Sequence, residues 1–148
     1  MKNMQPEFII EDNKTTCILF NNGKKIIGEA YCHPQDADMQ NKNTGCEIAL
    51  RRATIKAYKM YKEELTIRLS ALNQLYYSMN RSKHFNSKSY ENGMLRHQIY
   101  LIKTDLDTVK ELIATEKEKL NEYIALKENF YQTIRANRAK KNNKDNIK

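Results

Sequence analysis

The sequence predicts an α+β fold, mostly α: an N-terminal β-hairpin packed on an antiparallel pair of long helices, dimerising through coiled-coil-like packing. Three observations predict it. Apolar residues recur at steps of four and three along Leu95, Ile99, Ile102, Leu106, Val109, Ile113, Leu120, Tyr123, Phe130 and Ile134, with Glu116 and Lys127 interrupting the series. That spacing draws a narrow apolar stripe down one helix. A second stripe, Ile48, Ile55, Tyr58, Leu65, Leu69, Leu72, Tyr76 and Met79, marks an earlier helix. Finally, Asn22-Gly23 separates two runs of strand-favouring residues, and Asn-Gly accepts the positive φ of a tight hairpin turn.

The elements follow in chain order. Residues 1–13 read as a polar arm with an apolar patch at Phe8-Ile9-Ile10, suited to a short strand. A single domain is expected over 14–135. It opens with the hairpin, 14–32, whose apolar residues fall on both faces: Cys17 and Leu19 on one, Ile18 and Phe20 on the other. A lone hairpin is marginal in water, so the chain's own helices are expected over one face and a second subunit over the other. Pro34 ends the sheet region, since it cannot donate to a ladder. Thr44-Gly45-Cys46-Glu47 reads as a capping box opening a helix over 45–80. A polar and aromatic loop, 81–90, leads to a second helix over 91–135. Forty residues of helix span about 60 Å, so the seam from Leu120 to Ile134 outruns its partner and is expected to pack on another copy. The basic tail, 136–148, is expected to be disordered.

Composition agrees. Only four glycines and two prolines in 148 residues leave few helix breakers. The formal charge of +8 lies mostly in residues 135–148, which hold six basic residues and one acid. Cys17, Cys32 and Cys46 form an odd, sparse set. No run at the N-terminus reads as a signal peptide and none is long enough to cross a membrane, so free thiols in a cytoplasmic protein are expected.

Several chemistries are not expected. The cysteines and His33 are too widely spaced for a metal site, with no Cys-x-x-Cys or His-x-x-x-His pair. There is no nucleophile elbow and no Gly-rich phosphate loop. His33, His84 and His97 lie far apart in sequence. An enzyme is therefore not expected, and no cofactor. The ligand signal is the inter-helix loop. Arg81, Lys83 and His84 are basic, Phe85 and Tyr90 are rings outside either stripe, and Asn92 and Arg96 stand on the opening turns of the second helix. Helix amides and Arg forks suit phosphate, and rings stack on bases. These residues fit a small nucleotide better than a nucleic-acid polymer. They also suit a solvated turn whose rings pack on a neighbouring subunit. Arg51, Arg52 and Arg68 add cations on the first helix, where a solvated face would equally accommodate them.

The order of parts carries a resemblance. The hairpin turning at Asn22-Gly23 leads to Gly28-Glu29-Ala30-Tyr31-Cys32-His33-Pro34-Gln35-Asp36, then to Gly45-Cys46-Glu47-Ile48-Ala49-Leu50-Arg51-Arg52-Ala53, then to two long helices. Over Thr15 to Ile134 this resembles the phage Thoeris anti-defence proteins of the first type, a family of cyclic ADP-ribose sponges. The resemblance implies a phage protein in the host cell cytoplasm that does no chemistry. It would sequester a cyclic ADP-ribose isomer made by TIR-domain enzymes. It also implies homodimers that associate into hexamers, with ligand held between subunits, and in some members separate sites for cyclic oligonucleotides. The ligand residues expected are Phe85 or Tyr90 on adenine, Arg96 with Arg52 or Arg68 on the diphosphate, and Asn92 on ribose or phosphate oxygens. The rival reading is a structural or adaptor coiled coil whose basic tail contacts nucleic acid.

Overall fold

The computed structural model describes residues 5–32, 42–81 and 90–146, with Tyr90 described by its backbone alone. Three strands, β1 (Glu7–Ile10), β2 (Lys14–Asn21) and β3 (Lys24–Tyr31), precede two helices, α1 (Lys42–Arg81) and α2 (Tyr90–Asn146). The sheet is antiparallel in the order β1-β2-β3. The chain is thus α+β and mostly α, a small sheet followed by two long helices. It divides into two compact units: Met1–Thr54 with Glu116–Lys148, and Ile55–Thr115.

The first unit is built around the hairpin. Asn22 and Gly23 take φ of 51° and 78°, and positive φ at both central residues matches the right-handed twist of the flanking strands. The turn sets the register, in which Asn21 faces Lys24 and Ile18 faces Ile27. Period-two alternation then sends Thr15, Cys17 and Leu19 of β2 and Ile26, Gly28 and Ala30 of β3 inward, where all are buried. The apolar patch of the arm forms β1, with Phe8 opposite Cys17 and Ile10 opposite Thr15.

Small residues let β3 and α1 meet closely. A Cβ on Gly28 would strike the Ala49 carbonyl oxygen and the Ala53 amide nitrogen, and Ala49 and Ala53 are fully buried. α1 begins at Lys42, so Thr44 lies inside the helix rather than before it, and the capping box over Thr44 and Glu47 is not the device used. The Glu47 carboxylate instead pairs with Arg51 one turn on, 2.8 Å from Nε.

The distal part of α2 belongs to this unit too. Leu120 is only 8% exposed, and Arg51 reaches Glu116 at 3.7 Å. The sequence places the partner of the seam from Leu120 to Ile134 on another copy. The first part of that seam is covered here within the chain, because the sheet and the opening of α1 form one unit with it. Leu126 and Phe130, 65% and 58% exposed, remain outside. The helix also runs on to Asn146 through the stretch expected to be disordered. The apolar stripe ends there but propensity does not: Ala, Arg and Lys are good helix formers, and cations suit a helix C-terminus.

In the second unit the two stripes meet as the periodicity predicts. Leu65 of α1 and Leu106, Val109 and Ile113 of α2 form its core, flanked by Tyr58, Tyr61, Leu69 and Ile102.

Candidate functional site

Each sequence-predicted ligand residue has a place. Asn92 stands on the first turn of α2 and is 1% exposed. Arg96, one turn later, is exposed. Four residues apart, the two share a helix face. Arg68 is exposed on α1. These three belong to the second unit. Phe85 lies outside the described residues, and Tyr90 begins α2 with its side chain not described. Arg81 closes α1 with its guanidinium 4.4 Å from the Tyr77 ring centre and Nη2 donating to the Tyr77 hydroxyl at 3.1 Å.

Arg52 belongs to the first unit. Its Nη1 donates to the backbone carbonyl of Glu29 at 2.7 Å. β3 is the edge of the sheet, and an edge carbonyl needs a donor. One function of Arg52 is therefore to tie α1 to that edge.

Beside this bond lies a cleft of about 240 Å³. Thr15 and Tyr31 of the sheet, Ile48 and Arg52 of α1, and Lys127 and Tyr131 of α2 are among its lining residues. Tyr31 is fixed by its hydroxyl, which donates to Glu29 Oε2 at 2.7 Å. Lys14 Nζ stands 3.2 Å from the other Glu29 oxygen. The Glu29 carboxylate raises the pKa of both groups, chiefly through its hydrogen bonds, with its charge next for Lys14 and burial next for Tyr31. Lys127 lies 5.6 Å from the Tyr123 ring centre. The cleft thus offers two cations and two phenol rings.

Sequence reasoning singled out Arg52 but missed Tyr31, Lys127 and Tyr131. A signal was present: Lys127 and Glu116 are the two charged interruptions of the α2 seam. Glu116 meets Arg51, and Lys127 lines the cleft. A charge at a seam position marks where the seam meets something other than a plain helix.

Cys17, Cys32 and Cys46 are free thiols. Burial, helped by the neighbouring Cys46 charge, pushes Cys17 from 9.0 up to about 11. Such a thiol is a small apolar core residue rather than a nucleophile. Among the described residues no group of three His, Cys, Asp or Glu could hold a metal ion, and no helix is long and apolar enough to cross a membrane.

No protein-family model, curated protein or solved structure matches this chain.

Proposed function

We propose that this chain is a phage anti-defence protein acting in the host cell cytoplasm. It binds and sequesters a TIR-derived cyclic ADP-ribose nucleotide, and so inhibits Thoeris immunity without degrading the ligand. The ligand class comes from the resemblance in motif order. The observation that carries the site is the opening of α2, where buried Asn92 and exposed Arg96 share one face, soon after the basic and aromatic residues Arg81, Lys83, His84 and Phe85 in sequence. In this reading Arg96 holds the diphosphate, Asn92 and the first amides of α2 hold ribose or phosphate oxygens, and Phe85 or Tyr90 stacks on adenine. Of the two cations expected to join Arg96, Arg68 shares its unit and Arg52 does not.

The site is assigned to a homodimer, able to associate into hexamers. Ile67, Leu75, Met94, Tyr100, Leu101 and Leu112 of the second unit are exposed. A second copy of the chain would cover such exposed apolar side chains.

Titration of a purified cyclic ADP-ribose isomer into the full chain tests this by calorimetry. The wild type should bind tightly, and Arg96→Glu should weaken binding about 100-fold, the scale of a lost charge-assisted hydrogen bond with repulsion added. A wild type that binds no isomer, or an Arg96→Glu variant that binds equally well, would refute the assignment.

A further inference from the structure

The basic end of the chain holds none of the residues assigned to the ligand, and the structure gives it helical order. α2 continues as helix through Arg135, Arg138, Lys140, Lys141 and Lys144 to Asn146, and every residue from Arg135 to Asn146 is exposed. Asp145 is the single acid in that stretch. Arg135 lies 3.8 Å from Glu128, a weak exposed pair that a polyanion can outcompete. We propose that this terminal helix, from Arg135 to Asn146, is a docking surface for double-stranded DNA.

Three features select that partner. First, the charge is uniform in sign and carried on a helix, so the cations sit at fixed spacing along a rod about 18 Å long. Phosphates along a duplex present the complementary array, and neutralising them releases counterions. Second, the segment has no apolar face. Its only apolar side chains are Ala136 and Ala139, whereas a helix that lies on a lipid surface needs a buried apolar side. Third, between the cations stand Asn137, Asn142, Asn143 and Asn146, whose amides donate to phosphate oxygens and to base edges. A helix of this kind enters the major groove of B-form DNA, while the major groove of duplex RNA is too narrow to admit it. The proposal is independent of the nucleotide reading, because it uses none of the residues assigned there.

The test is fluorescence anisotropy of a labelled 20-base-pair DNA duplex with the full chain, at 50 and 200 mM salt. Three proteins are compared: wild type, Lys140→Glu/Lys141→Glu/Lys144→Glu, and a control with the same charge change elsewhere on α2, Lys103→Glu/Lys110→Glu/Lys117→Glu. Circular dichroism checks that each is folded. Wild type should bind with affinity falling steeply with salt. The terminal triple should lose at least tenfold at low salt, with a slope of log K against log salt shallower by about three. The control should stay within about threefold of wild type. The proposal is overturned if the two triples lose equally, since net charge alone would then be read. It is equally overturned if wild type does not bind, or if it prefers a duplex RNA or anionic vesicles over the DNA.

Discussion

Arg52 stands on α1 with Nη1 2.7 Å from the Glu29 carbonyl. Its charge makes it a ligand candidate, and its position also makes it a fastener of the sheet edge. Replacing it by Ala should cost about 1–2 kcal/mol in chemical denaturation, the scale of one part-buried charge-assisted bond. Cys17 supplies a prediction of opposite character. Its thiol ionises near 9.0 when unfolded and near 11 when folded, so above pH 9 the unfolded chain sheds a proton that the folded chain keeps. Stability contributed by the neutral thiol is whole below pH 9 and is lost as pH rises towards 11, by about 2 kcal/mol. Denaturation at pH 8 and pH 11 should show this drop in wild type and a smaller one in Cys17→Ala. An equal drop in both would remove Cys17 as its source. Nothing in the sequence placed Cys17 beside Cys46, because that neighbourhood is made by the sheet lying on α1.

The elements were legible to different depths. The hairpin and its turn were readable because Asn22-Gly23 encodes its own backbone geometry. The helical stripes were readable because period alone decides which residues face inward: Leu95, Ile99, Leu106, Val109, Ile113 and Leu120 are all buried. The end of α2 was not readable from the stripe, because the apolar pattern stops while helix propensity continues to Asn146. Nor was the fit of β3 against α1, which depends on the absence of a side chain at Gly28. Gly28→Ala should therefore destabilise by about 1–3 kcal/mol through overpacking. Ile113→Ala, which opens the core of the second unit, should cost about 2–5 kcal/mol. Thermal melts read both. A neutral Gly28→Ala would mean that the sheet and α1 are not in the close contact described.

At the scale of the whole molecule, each compact unit has a share in the account. The first carries the sheet, the cleft beside Arg52 and the basic terminal helix. The second carries the packed stripes and the opening of α2. The position of Asn92 and Arg96 on the opening turns of α2 was legible, because a helix start and an i, i+4 spacing can be read directly. Phe85 lies outside the described residues, and Tyr90 is the first residue of α2, where periodicity has no hold. Sequestration separates cleanly from catalysis by the fate of the ligand. The decisive measurement is therefore a release assay: the full chain is incubated with a cyclic ADP-ribose isomer, unbound nucleotide is washed away, the protein is heat-denatured, and the supernatant is analysed by mass spectrometry. Intact nucleotide should be recovered, in an amount proportional to protein. A hydrolysed product, or no nucleotide at all, would contradict sequestration.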